Sequence, residues 1–172
     1  TQLLSYSNMR EWVPEAEGVE RLFWYNQLMV ATSYDEAQIG TVGASYPHYI
    51  QWKDTSPVPM AQVAEELGIA PDQELSSQQI LVAGALQPGN LLDLVRNFIL
   101  FQQSGGRTIK IAGRYQQFRA VQETIRRLQN GKTRRQDGEY DRRGGIIWHT
   151  QGSGKSLTMV FLVRKMRTLP DL

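Results

Sequence analysis

The stretch Ile146-Ile-Trp-His-Thr-Gln-Gly-Ser-Gly-Lys-Ser156 decides how this 172-residue chain is read. Gly145 to Trp148 has the composition of a short buried strand, a glycine-spaced loop follows, and Ser156 to Met166 reads as an apolar-rich helix. Strand, loop and helix in this order make a phosphate-binding loop. Gly152 and Gly154 permit a tight turn and let the backbone approach an anion with no side chain in the way. The exposed N–H groups of the loop then cradle phosphate oxygens, and the helix offers its positive N-terminal end to the same anion. Lys155 reaches the β- and γ-phosphates as a point charge, and Ser156 supplies a hydroxyl to Mg²⁺. The candidate ATP-binding residues are therefore Thr150, Gln151, Gly152, Ser153, Gly154, Lys155 and Ser156, with ATP and Mg²⁺ as the expected cofactors. The common form of the motif has a small residue five places before Gly154, where this chain has His149. We read His149 as a structural or loop-positioning residue and not as a catalytic base.

Upstream of the loop, Tyr115 to Leu128 is expected to be a helix with Phe118, Val121, Ile125 and Leu128 on one side. Asn130 to Arg143 is charged and nearly devoid of apolar residues, so a loop is expected there. Thr108 to Ala112 alternates as a strand does. Three helices are expected before it. Met60 to Leu67 ends at Gly68, a second runs from a Ser76 or Ser77 cap to about Leu86, and a third runs from an Asn90 cap to about Phe101. Further towards the N-terminus, Leu28 to Thr32 and Ile39 to Val42 are expected strands around a turn at Asp35 to Gln38, and Tyr46 to Trp52 is expected to be extended. Residues 1–13 read as the end of a helix plus a turn.

Composition narrows the class. Hydrophobic residues make up 41%, enough for a packed core. The absence of cysteine excludes a disulfide framework and a cysteine-based zinc site or nucleophile. No secretory leader and no run of about 18 apolar residues is visible, so a cytoplasmic location without a membrane is expected. The chain lacks an initiator Met and breaks off at Leu172, which reads as a fragment of a longer protein. The net charge of +2 conceals an asymmetry: residues 1–113 carry 6 Lys/Arg against 12 Asp/Glu, and residues 114–172 carry 13 against 5. A basic C-terminal part suits an anionic partner such as a nucleotide or DNA, and a solvated basic surface fits the charge equally well.

From Trp148 to Met166 (WHTQGSGKSLTMVFLVRKM) the chain resembles the start of the motor domain in the restriction subunit of type I restriction-modification enzymes. The segments Glu20 to Asp54, Gly89 to Phe101, Thr108 to Val121 and Gly131 to Ser156 resemble that subunit in the same order, so the resemblance covers nearly the whole chain. It implies a large subunit with an N-terminal nuclease, two superfamily 2 helicase-like motors and a C-terminal assembly region. It also implies double-stranded DNA and the modification (methyltransferase) and specificity subunits as partners, ATP-driven translocation, and cleavage away from the recognition site. The fold class implied is α/β: the end of a PD-(D/E)xK-type nuclease domain at 1–55, a helical connector at 56–106, and at 107–172 the start of a P-loop motor domain with a parallel sheet.

Two further sites follow from the resemblance. In Arg114-Tyr-Gln-Gln117-Phe, Gln117 matches the family glutamine that contacts adenine, with Gln116 as the competing candidate. Gln2 and Tyr6 in Gln-Leu-Leu-Ser-Tyr match an accessory motif of the family's nuclease, a catalytic assignment in which the pair holds DNA phosphate or positions the metal ligands. The acidic nuclease ligands and the acidic motor motif are not in the chain, so by itself it is expected neither to cut DNA nor to turn over ATP. Two other readings stay open on the residues alone: a stand-alone P-loop nucleotide-binding protein, and a non-enzymatic interaction module.

Overall fold

A computed structural model describes residues 19–33 and 35–170. The chain divides into two compact units, Thr1–Ala112 and Gly113–Leu172. The architecture is mixed α/β, and both sheets among the described residues are two-stranded antiparallel hairpins.

In the first unit, β1 (Met29–Thr32) pairs with β2 (Ala37–Gly40), and an isolated bridge joins Ile39 to Ile50. The second strand begins and ends two residues earlier than the apolar run at 39–42 suggests, because pairing Thr32 with Ala37 closes the turn at residues 33–36. Tyr46–His48 forms a 3₁₀ turn where an extended segment is expected. Helix α1 (Met60–Glu66) ends as expected at Gly68, whose φ of +66° a residue with a Cβ rarely adopts. Helix α2 (Ser77–Ala83) starts on a reciprocal cap: Ser76 Oγ accepts from the Gln79 N–H and Gln79 Oε1 accepts from the Ser76 N–H.

Helix α3 (Pro88–Asn97) corrects two expectations. Its cap is Gln87, whose Oε1 accepts from the Asn90 N–H at 2.9 Å, and Pro88 occupies the first turn, where a missing N–H costs nothing. Asn90 is buried, and its Nδ2 donates to Ser56 O at 2.7 Å and Gly84 O at 2.9 Å. The helix also stops before Phe101. Residues Ile99–Ser104 form β3, paired along its whole length with β4 (Arg107–Ala112). Gly105 and Gly106 link them with φ of +56° and +77°, the double positive-φ turn whose twist suits a two-residue hairpin. The strand expected to open a parallel sheet therefore lies in an antiparallel hairpin.

The core of this unit gathers Trp52, Leu81, Ala85, Leu94, Phe98 and Ile99. Gly84 permits the closest packing there, since a Cβ would run into the Asp54 carbonyl and lie 2.7 Å from Trp52 Nε1. The β3–β4 hairpin is tied to earlier chain by Thr41 Oγ1, which donates to Lys110 O at 2.7 Å, and by Lys110 Nζ, which donates to Asn26 O at 2.7 Å.

The second unit is helical among its described residues. Helix α4 (Tyr115–Asn130) buries Phe118, Val121 and Ile125 against α6 (Lys155–Met166), which contributes Phe161. Lys165 Nζ donates to Gln122 Oε1 at 2.6 Å and joins the two helices on a polar flank. The polar segment after α4 is more ordered than a plain loop: Arg134–Asp137 makes one helical turn, α5, capped where Gln136 Oε1 accepts from the Thr133 N–H at 2.9 Å. Gly145–Trp148 is not a strand. A strand exists only by pairing, and no strand lies among the described residues 113–170, so Ile146 and Trp148 stand 95% and 88% exposed.

Asn90 supplies a direct test of the first unit. Asn90→Ala leaves the Ser56 and Gly84 carbonyls without their donor, and each buried unsatisfied group costs about 1–3 kcal/mol. Urea unfolding of the chain is expected to show a loss in that range or above, whereas Gln103→Ala on the exposed face of β3 changes stability by less than about 0.5 kcal/mol.

Candidate phosphate-binding site

The loop between Thr150 and Lys155 is shaped by two glycines in left-handed backbone, Gly152 at φ +78° and Gly154 at φ +82°. Gly154 is the N-cap of α6 and brings no side chain to it, so the first-turn N–H groups of that helix have no side-chain cap. The loop closes on one carbonyl. Thr150 O accepts from the Ser153 N–H at 3.3 Å, Ser153 Oγ at 2.7 Å and Lys155 Nζ at 3.1 Å. Lys155 Nζ also donates to His149 O at 3.3 Å. The ammonium is thus held across the loop by two neutral carbonyls, in an exposed position where an anion can reach it. Ser156 is likewise exposed, and so are Thr150, Gln151 and Gly152.

Behind the loop stands α4. Gln117, on the first turn of that helix, is 2% exposed. Its Oε1 accepts from the Arg114 N–H at 2.9 Å, which caps the helix. Its Nε2 donates to Gly154 O at 3.1 Å and, at a longer 3.4 Å, to Ser153 O. The approach is so close that a Cβ on residue 154 would lie 2.5 Å from Gln117 Nε2. Glycine at 154 is therefore favoured by its φ, and a Cβ there would also displace the Gln117 amide from its present bonds. Gln116, next along the helix, is exposed.

Sequence reasoning passed over Thr158. Buried on α6, it donates from its N–H to Gly154 O at 3.1 Å and from Oγ1 to the same oxygen at 3.4 Å. A threonine four residues after a helix N-cap often bonds back in this way, and that spacing was the available signal. His149 Nδ1 is buried and has no hydrogen-bond partner. Gln2 and Tyr6 lie outside the described residues.

The electrostatics of the preceding segment are partly self-cancelling. Arg143 Nη2 meets Asp141 Oδ2 at 2.7 Å, and this hydrogen bond holds the Asp141 carboxyl down to about 2. Arg142 pairs with Asp137 at 3.2 Å and lowers that carboxyl too. Lys132, Arg134 and Arg135 are exposed, and Glu139 offsets part of their positive charge. Among the described residues no three His, Asp or Glu side chains come together as a metal site. The arrangement puts an exposed ammonium beside helix N–H groups that have no side-chain cap. No helix among the described residues is long and apolar enough to cross a membrane.

Comparison with known proteins agrees with this geometry. The sequence-family model described as SWI2/SNF2 ATPase matches residues 116–171, which take in α4, the glycine loop and α6. The HindI type I restriction enzyme endonuclease subunit of Haemophilus influenzae is 34% identical over 155 residues, covering 90% of this chain and 14% of that protein. A Methanocaldococcus jannaschii protein assigned as the MjaIXP type I restriction enzyme endonuclease subunit is 27% identical over 157 residues, covering 86% of this chain and 14% of its own length. A second protein of that organism, assigned to MjaVIIIP, is 37% identical over 78 residues, 45% of this chain and 7% of its own length. No solved structure matches the chain. A helicase-like ATPase match on the loop-bearing unit and a continuous likeness along nearly the whole chain lead to one assignment: the chain belongs with the endonuclease subunits of type I restriction enzymes, and it spans 14% of the length of the relatives it matches most fully.

Proposed function

We propose that Thr150 to Ser156 bind the phosphates of ATP, and that the chain forms the junction between the nuclease and the first motor of an ATP-driven, DNA-translocating type I restriction endonuclease subunit. The observation that carries this reading is the coincidence of the SWI2/SNF2 ATPase match with the helix–loop–helix that holds Lys155. The residues fit the group. Uncapped N–H donors at the start of α6, a glycine turn free of side chains and an exposed ammonium are the parts that an anion of high charge requires. In this reading Lys155 leaves two neutral carbonyls for the β- and γ-phosphates, an exchange favoured by charge. Ser156 would hold Mg²⁺, which when bound offsets phosphate charge.

The division proposed is a nuclease end at 1–55, a connector at 56–106 and a motor beginning at 107–172. Double-stranded DNA, and the modification and specificity subunits, are the partners this reading implies. The relatives' names, type I restriction enzyme endonuclease subunits, support it.

The first test is calorimetry of Mg-ATP binding to the chain. Lys155→Ala removes a charge-assisted contact of about 1.5–3 kcal/mol, so the Kd is expected to rise about 10- to 100-fold. In an endonuclease subunit carrying this segment, ATP-dependent translocation and cleavage are both expected to vanish, since charge develops on the transferred phosphoryl group at the step Lys155 serves. An unchanged Kd would refute the loop assignment.

The nuclease end gives a separate outcome. In such a subunit, Gln2→Ala or Tyr6→Ala is expected to reduce DNA cutting while ATP hydrolysis stays near the parental rate. Loss of both activities would assign the pair to folding.

A further inference from the structure

The charged segment after α4 folds back on itself. The Arg142 N–H donates to Lys132 O at 2.9 Å, and both ends of the segment return to Arg127 on the last turn of α4. A Cβ on Gly131 would lie 2.6 Å from Arg127 O and 3.0 Å from Arg143 Cγ, and one on Gly145 would lie 3.6 Å from Arg127 Cδ and Nε. Inside the closed loop, Gln136 Oε1 caps α5, Gly138 turns the chain at φ +87°, and the Arg142 guanidinium lies 5.2 Å from the centre of the Tyr140 ring. Compact surface loops whose ends meet in this way frequently carry function. Ion pairing divides the charges of the loop into two sets. Asp137 and Asp141 are engaged by Arg142 and Arg143, and these pairs brace the loop. Lys132, Arg134 and Arg135 are exposed and have no carboxylate in ion-pair contact among the described residues. Glu139 is exposed as well, so three cations stand against one anion outside the pairs, and the exposed Arg127 adds a further cation at the base.

We propose that this loop, through Lys132, Arg134 and Arg135, is a contact surface for the phosphate backbone of duplex DNA. The layout of the charge favours an extended polyanion over a compact one, because the cations stand on separate side chains along the loop. A duplex carries one negative charge per about 1.7 Å of its axis, so separate cations can each take a phosphate. The planar forks of Arg134 and Arg135 match phosphate geometry. The loop is braced before any ligand arrives, which lowers the ordering cost of binding. Its one helical turn spans only Arg134–Asp137, too short to lie in a groove and read bases, so the contact is independent of base sequence. The proposal rests on the reading of the chain as part of a DNA-acting subunit, which the relatives' names support.

The test is fluorescence anisotropy of a short labelled duplex of random sequence, titrated with the chain across about 50–200 mM salt. Arg134→Ala with Arg135→Ala is expected to raise the Kd about tenfold at the low-salt end and to flatten the slope of log affinity against log salt by about two. Arg134→Lys with Arg135→Lys keeps the charge and is expected to keep the slope. Lys53→Ala with Arg96→Ala removes the same charge from exposed positions of the first unit and is expected to change the Kd less than about threefold, as screening dictates. The melting temperature and the affinity for Mg-ATP are expected to stay at parental values in every variant. Equal weakening by the two alanine pairs would reduce the effect to diffuse attraction and overturn the proposal. Competition by polyglutamate as strong as by unlabelled duplex would assign the loop to an acidic protein surface, also against it. A fall in melting temperature together with lost Mg-ATP affinity would give the arginines a role in the fold alone. If the parent binds duplex and the alanine pair binds it equally well, the DNA reading stands and the loop assignment fails. A parent chain that binds no duplex refutes the DNA reading for this chain, and the proposal falls with it.

Discussion

The approach of Gln117 to the Gly154 carbonyl is the constraint on which the second unit depends. It joins the first turn of α4 to the residue that starts α6, and it works only because position 154 has no Cβ and tolerates a φ of +82°. Around that point, weak interactions add up. The α4–α6 seam buries Phe118, Val121, Ile125 and Phe161, and burial of such side chains is worth about 1.5–3 kcal/mol each. Lys165 and Gln122 close the far end of the seam. The loop is thus held from behind by a packed helix pair and left open on the side where Lys155 and Ser156 are exposed.

Local signals were legible because local chemistry decides them. Gly68 as a helix stop, a serine cap at Ser76 or Ser77, and the apolar stripe of α4 are each fixed by residues within one or two turns. The end of α3 was not legible in the same way. Phe98, Ile99, Leu100 and Phe101 fit a helical stripe as well as a strand, and what settles the matter is pairing with residues 107–112 across the Gly105-Gly106 turn. Gly145–Trp148 shows the reverse case. Its composition suits a buried strand, yet strand structure requires a neighbour, and none lies among the described residues of its unit. Thr133 and Gln136 had the spacing of a capping pair, which the high charge of residues 130–143 concealed.

The site divides along the same line. Glycine spacing and Lys155-Ser156 mark the loop from sequence because the turn and the charge are properties of those residues themselves. The position of Gln117 against the loop is a property of helix packing 36 and 37 residues along the chain, and so is the service of Thr158 to the same carbonyl only partly readable from its four-residue spacing. A glutamine one turn into a helix can cap, tether or recognise a base, and only its surroundings choose among these. Surroundings also temper the basic character of residues 114–172, since Asp137 and Asp141 engage Arg142 and Arg143.

The central claim is that the backbone of the glycine loop, held by α4, is the anion-binding surface of this unit. The most direct measurement is a nitrogen–proton correlation spectrum of the labelled chain during titration with Mg-tripolyphosphate. The account predicts saturable shifts of the Gly152, Ser153, Gly154, Lys155 and Ser156 amides, with a common midpoint. Shifts centred on Lys132, Arg134 and Arg135 with the loop amides unmoved would contradict it.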